Sequence, residues 1–179
     1  MTGVSPLLMH NGQLADPLNE YSQRLKEFSS KRTKTDADHE AMAKVEFFGG
    51  LYTKDGVIGI PDKCIESMLI EGAKKNRLGK AFKAGVMCKN DFHRLKFKGS
   101  NDPEKLYEDG GYVYRELVKV TTSKIVRTRP MFSEWSLDVE VLFLSEVVTK
   151  KQVKEAFEIA GQLVGLGDYR PKFGRFNVK

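Results

Sequence analysis

The apolar positions of this chain alternate between two spacings, and each switch marks an element boundary. The opening GVSPLLM is short, apolar and extended, and predicts a strand ending at the turn signal HNG. A helical spacing follows, with Leu18, Tyr21, Leu25 and Phe28 on one face, Asp16 as cap and Pro17 at the first helical position. SSKRTKT breaks the pattern and predicts a polar, basic loop. Thr35 with Asp38 approximates a capping box, so a second helix is expected to about Phe48, stopping at Gly49-Gly50. Asp55-Gly56, between Leu51-Tyr52 and Val57-Ile58, predicts a short hairpin.

Pro61 opens another helix, whose apolar face is Ile65, Met68, Leu69 and Ala73. Residues 84–98 hold two short strand candidates, AGVMC and HRLKFK, and residues 99–111 form a loop rich in Asp, Pro and Gly. A long strand is expected from Tyr112 to about Thr122. The segment from Lys124 to Arg129 continues it after a turn or bulge near Ser123, until Pro130 interrupts. Trp135, Leu137, Val139, Val141 and Phe143 alternate as one face of a half-buried strand. Thr149 then caps a helix with Val153, Ala156, Phe157, Ala160, Leu163 and Val164 on its apolar face, before a glycine-rich loop and a terminal strand.

With insertions set aside, the order is strand, helix, strand pair, helix, strand. That is an α+β, ferredoxin-like (RRM-like, split βαβ) pattern: an antiparallel sheet with helices on one face. Residues 1–179 are expected to form a single domain, with a helical and hairpin insertion at about 17–60 after strand one. A chain of 179 residues can bury a substantial core, and it shows no internal repeat. No apolar run approaches the roughly 20 residues of a membrane helix, and the start lacks a basic and apolar leader. A cytoplasmic protein without a membrane partner is therefore expected.

Charge adds direction. Thirty Lys and Arg against 24 Asp and Glu give a net charge of +6, which permits an anionic partner without identifying one. The cysteines, Cys64 in a helix and Cys88 in a strand, form no CxxC pair, and there are only three histidines. The expectation is two reduced, buried thiols, no metal and no cofactor.

Three segments carry candidate binding chemistry. Near the C-terminus, Gly161, Gly165, Gly167 and Gly174 are interleaved with Arg170, Lys172 and Arg175. Backbone N–H groups beside cations can cradle phosphate, although the segment is neither a Walker loop nor a Rossmann fingerprint. Its structural alternative is a tight turn that docks the last strand. In KIVRTRPMFSEW, Arg127 and Arg129 share a strand face beside Phe132 and Trp135, the pairing of cations and stacking rings that grips single strands. The alternative places Trp135 in the core. Residues 74–98 hold nine cations (Lys74, Lys75, Arg77, Lys80, Lys83, Lys89, Arg94, Lys96 and Lys98) against one acid, Asp91. This is a candidate phosphate track, or else a solvated face. Residues 29–35, with Lys31, Arg32 and Lys34, form a candidate closing arm.

Three motifs, in order along the chain, resemble the RAMP superfamily of CRISPR-associated proteins: SPLLMHNG, IPDKCIESMLIEGAKK and VGLGDYRPKFGRF. They are similar to that group's first strand and turn, its entry to the first core helix, and its glycine-rich loop. The resemblance implies a ferredoxin-like fold. Its nearest form, the backbone subunits that polymerise along a guide, implies sequence-nonspecific binding of single-stranded RNA or DNA and oligomerisation along the strand. The chain is short for such a subunit, so a stand-alone phage-encoded relative, in a bacterial or phage-infected cell, is equally implied. Guide-processing endoribonucleases of the superfamily use a histidine as acid or base, which makes His10 and His93 the catalytic alternative. A third reading is a phage protein that inhibits a CRISPR complex by mimicking a subunit. The leading expectation is a non-enzymatic single-strand binder.

Overall fold

The computed structural model of the chain describes residues 1–120 and 123–179. The strands are β1 (Thr2–Gly3), β2 (Leu7–Leu8), β3 (Thr53–Lys54), β4 (Val57–Pro61), β5 (Val86–Cys88) and β6 (Phe92–Lys96). They continue with β7 (Val113–Val120), β8 (Ser123–Phe132), β9 (Ser136–Leu137), β10 (Val141–Phe143) and β11 (Phe176–Asn177). The α-helices are α1 (Glu20–Ser29), α2 (Asp36–Gly50), α3 (Asp62–Lys74), α4 (Gly79–Gly85), α5 (Pro103–Asp109) and α6 (Lys150–Ile159). This is an α+β protein with antiparallel pairing. No described helix is long and apolar enough to cross a membrane. The chain divides into two compact units.

The first unit comprises Met1–Leu8, Thr53–Lys98 and Phe132–Lys179. Its main sheet runs β11-β1-β9-β6-β4-β3. Along β6, His93 and Leu95 are buried whereas Arg94 and Lys96 are exposed, the period-2 signature of a sheet covered on one face. Helix α3 forms because Ile65, Met68, Leu69 and Ala73 recur at helical spacing, and all four are buried. Burying each of the three larger side chains contributes about 1.5–3 kcal/mol. Asp62 in its first turn and Lys74 in its last complement the helix dipole. Helix α6 starts at the capping box of Thr149 and Gln152. It approaches α3 closely at Gly72, where an added Cβ would lie 2.6 Å from the Ala156 carbonyl oxygen.

Three expectations for this unit are corrected. The strand AGVMC begins only at Val86, because residues 79–85 form α4. That helix has seven residues, glycine at both ends and no side-chain cap, so its only strong signal is the buried Phe82. The alternating stretch from Trp135 splits into β9 and β10, which join different sheets. Trp135 and Leu137 are buried, but Val139 and Val141 are half-buried and Phe143 is exposed. Alternation reports extended backbone and does not show where a strand leaves its sheet. Beyond that point Leu142 faces Met87 across the β5–β10 ribbon, and both are exposed. At the end of α6, Val164 is half-buried and Leu163 exposed, so the apolar face expected there stops short.

The second unit comprises Met9–Tyr52 and Gly99–Met131. Helix α1 is capped by Asn19, whose side chain accepts the Tyr21 N–H at 3.0 Å, and not by Asp16, which accepts from Leu18. Leu18 therefore lies before the helix and is exposed. Thr35 and Asp38 form the capping box of α2. That helix continues through Gly49 and Gly50, where a Cβ would come within 2.5 Å of Leu14 and 2.9 Å of Pro130. The helix ends at Gly50, where the sequence predicts its stop, and both glycines also allow this close packing. The loop expected at 99–111 contains α5, with Asp102 capping, Pro103 leading and Gly110 closing in a left-handed conformation. Strands β7 and β8 pair in register from Val113↔Pro130 to Val120↔Ser123. Pro130 sits at the end of this ladder and accepts the Met9 N–H through its carbonyl, so it does not interrupt the strand. The strand end expected at Thr122 lies outside the described residues.

Candidate nucleic-acid interface

The turn of α3 and the short α4 bring one half of the basic run together. Lys74, Arg77, Lys80 and Lys83 line an open groove of about 730 Å³, joined by Lys63 from the start of α3. Among the described residues, Lys63, Arg77, Lys80 and Lys83 have no ion-pair partner. Lys74 pairs with Glu71 at 2.5 Å. That ammonium holds the Glu71 carboxyl below its ordinary range, and the charges of Arg170 and Lys75 act in the same direction. Arg77 adopts φ +61°, a left-handed turn conformation that redirects the chain from α3 into α4.

Lys63, Glu66, Ser67 and Ile70 were not singled out from the sequence, although they line the same groove. Their signal was available: positions 63, 66, 67, 70 and 74 recur at three- and four-residue steps, offset from the buried Ile65, Met68 and Leu69. Reading both faces of the helix, not only the apolar one, would have found them.

The other half of the run has a different environment. Lys89 pairs with Glu140 at 2.6 Å and Lys98 with Glu134 at 2.7 Å, while Lys96 bonds Asp138. Arg94 is exposed on the same strand face as Lys96 and has no ion-pair partner among the described residues.

The glycine-rich loop is built chiefly for docking. The Gly165 N–H donates to the Ala160 carbonyl at 2.8 Å, Leu166 to Gly174 at 2.9 Å, and Asp168 to Leu8 at 2.9 Å. Gly174 donates to Pro6 at 2.8 Å. Gly167 has φ +82°, and a Cβ there would lie 2.3 Å from the Leu8 carbonyl oxygen. Gly161 packs the same way, against the Phe176 carbonyl. The phosphate-cradle expectation for Gly165 and Gly167 is corrected accordingly: the Gly165 N–H is taken by Ala160 and its Cα approaches the Phe173 carbonyl, while Gly167 seats the loop on Leu7 and Leu8 of the first segment. Arg170, Lys172 and Arg175 remain exposed on the loop's surface. Arg175 Nε donates to the Pro171 carbonyl at 2.8 Å, and Lys172 lies 5.4 Å from the Phe173 ring centroid.

The expected stacking rings are also corrected. Phe132 is 0% and Trp135 4% exposed. The indole N–H donates to the Ser5 carbonyl at 2.9 Å, and its ring meets Phe176 edge-on. Rings so enclosed offer no face to a base. Arg127 and Arg129 belong to the second unit. Arg127 is committed to the buried Glu46 at 2.5 Å, whose other oxygen accepts the Thr128 N–H at 2.7 Å. Arg129 is half-buried opposite Tyr114.

The catalytic alternative loses one residue. His93 is 4% exposed, with Nδ1 against the Asp138 carbonyl at 3.3 Å and Nε2 buried without a hydrogen-bond partner among the described residues, so neither ring nitrogen is presented at the surface. His10 is exposed but belongs to the second unit and does not line the groove. Both cysteines are free. Cys64 is only half-buried, contrary to expectation, while burial pushes the Cys88 thiol up to about 12, with Glu66 and Asp62 adding to the shift. Among the described residues no cluster of His, Cys, Asp or Glu is arranged to hold a metal ion. No family model, no curated protein and no solved structure matches this chain.

Proposed function

We propose that this chain binds single-stranded nucleic acid without catalysing its cleavage, and that the groove between α3 and α4 is where the phosphates lie. One observation carries the reading: four cations converge on a single groove without carboxylate partners among the described residues. Unneutralised cations in a groove attract a polyanion and release its counterions on contact.

We further propose that the first unit is a ferredoxin-like domain of the RAMP kind. Taken in chain order, β1, α3, β6, β9, α6 and β11 follow the split βαβ pattern. In the sheet the fourth of those strands neighbours the first, then come the third and the second, which supports that topology. The hairpin of β3 and β4 extends the sheet beyond β6.

Fluorescence polarisation with labelled single-stranded RNA, single-stranded DNA and duplex DNA, at two salt concentrations, tests the function. The expected result is salt-sensitive binding to a single strand, with intact product on a denaturing gel. Binding that stays flat across the salt range, or shortened RNA, overturns it.

A further inference from the structure

A carboxylate stands among the groove's cations, and its position needs a reason. Glu66 lines the groove together with Ser67 and Ile70. Its Oε1 accepts the Cys88 N–H at 2.8 Å, which fixes the side chain. The neighbouring Glu71 is committed to Lys74, but Glu66 has no ion-pair partner among the described residues. A groove that only tracked phosphates would be weakened by such a charge, because an anion between cations repels the polyanion they attract. Holding the Cys88 N–H is one role for this side chain, and a neutral amide would serve it equally well. The negative charge itself is left to account for.

We propose that Glu66 reads the base edge, favouring bases that carry an exocyclic amino group over uracil and thymine. This rests on the single-strand reading above. A carboxylate only accepts hydrogen bonds, and the cytosine N4 amino group is its matching donor. Uracil and thymine present a carbonyl oxygen at that position, and two acceptors face to face repel. Ile70 offers the flat base an apolar contact and Ser67 a hydroxyl that donates or accepts, while the surrounding cations hold the phosphates. Selectivity and affinity are thus carried by different side chains of one groove.

The test compares oligocytidine and oligouridine of roughly 12 nucleotides, a length within the span of single-strand sites. Polarisation is read for the natural chain and for Glu66→Gln. The natural chain is expected to bind oligocytidine roughly tenfold more tightly, the scale of one good base-edge contact. Glu66→Gln keeps an acceptor for the Cys88 N–H and gains an amide donor for the uracil carbonyl. It should bring the two affinities within about twofold, chiefly by strengthening oligouridine. A natural chain that binds both oligonucleotides alike overturns the proposal, and that comparison requires no variant. A preference that survives Glu66→Gln, in a variant whose melting temperature is unchanged, overturns it as well. Failure of the natural chain to bind either oligonucleotide at low salt is a different result, and removes the single-strand reading with it.

Discussion

The two halves of the basic run, residues 74–83 and 89–98, have similar charge density and opposite fates. The first half winds out of α3 into α4, where Glu71 is the carboxylate that captures a lysine, and Arg77, Lys80 and Lys83 face a groove unneutralised. The second half includes β6, and the segment around β9 supplies Glu134, Asp138 and Glu140, which take up Lys98, Lys96 and Lys89. Those acids share one parity along the chain, as do Lys96 and Lys98, so the sheet's period of 2 brings opposite charges together. Exposed pairs of this kind stabilise a fold by only about 0–1 kcal/mol. Their larger consequence is electrostatic, since a lysine facing a carboxylate contributes little to the field a polyanion meets. Charge density alone therefore does not decide how much positive field a basic stretch presents; the carboxylates that the fold sets against it do.

The sharpest way to break that comparison is to remove matched sets of three. Replacing Arg77, Lys80 and Lys83 by Ala should weaken single-strand binding roughly 100-fold near 0.1 M salt, and lower the slope of log affinity against log salt by about 2, at roughly 0.7 per phosphate contact. Replacing Lys89, Lys96 and Lys98 by Ala should change affinity by less than about threefold, because their charges are already opposed. Equal losses from the two sets, measured by polarisation at several salt concentrations, would show that net charge and not the groove drives binding.

A third kind of cation, one committed to a buried acid, sharpens the contrast. Arg127→Ala leaves Glu46 enclosed with, among the described residues, the Thr128 N–H as its remaining hydrogen-bond partner. Stability to urea should fall by about 2 kcal/mol, the scale of a hydrogen bond to a charged group. Oligonucleotide affinity measured under folding conditions should be unchanged. A loss of affinity without a loss of stability would return Arg127 to the interface.

Much of this was legible in the sequence. The apolar face of α3, the capping box at Thr35, the cap at Thr149 and the Asp55-Gly56 hairpin follow from local rules that act within a few residues, and the structure has them all. The short helices α4 and α5 were not legible, because seven residues complete barely two turns and bury one side chain each, Phe82 and Leu106. At the candidate site, Lys74, Arg77, Lys80 and Lys83 were found from charge density alone. Trp135 could not be placed, since a ring beside two arginines reads the same whether it is core or platform. The pairing of Lys89, Lys96 and Lys98 depends on contacts about 36–51 residues away, and no local pattern announces them. The glycine-rich loop needed the same long-range knowledge, because the carbonyls it meets at Pro6 and Leu8 are more than 150 residues distant.

The comparison can also be run in reverse, by releasing the opposed lysines. Glu134→Gln, Asp138→Asn and Glu140→Gln together should free Lys98, Lys96 and Lys89 and tighten single-strand binding several-fold at low salt. The Asp138 carbonyl that faces His93 belongs to the backbone and survives the change. A control with Glu20, Glu27 and Glu40 replaced by Gln alters net charge equally at exposed positions of the second unit. A gain specific to the first set identifies local neutralisation as the reason those lysines are silent, whereas equal gains would reduce the effect to overall charge.

The smallest expected effect concerns rings. Trp135→Phe removes an indole N–H that bonds the Ser5 carbonyl and slightly shrinks a ring packed against Phe176. Gly3 lies directly beneath it, where a Cβ would come within 2.3 Å of the indole nitrogen, so the site is filled by design of the backbone around it. The substitution should cost about 1 kcal/mol of stability, through the lost hydrogen bond and the small void. Affinity for oligonucleotides should stay within about twofold of the natural chain, since an enclosed ring has no face for a base to stack on, whereas a stacking platform contributes about 1–3 kcal/mol per base. Indole fluorescence separates the two cases directly. A stacked base quenches the emission of Trp135, the chain's single tryptophan, while a buried ring leaves emission unchanged as oligonucleotide saturates the groove. Strong quenching together with a tenfold affinity loss in Trp135→Phe would move the interface from the helix cations to the sheet.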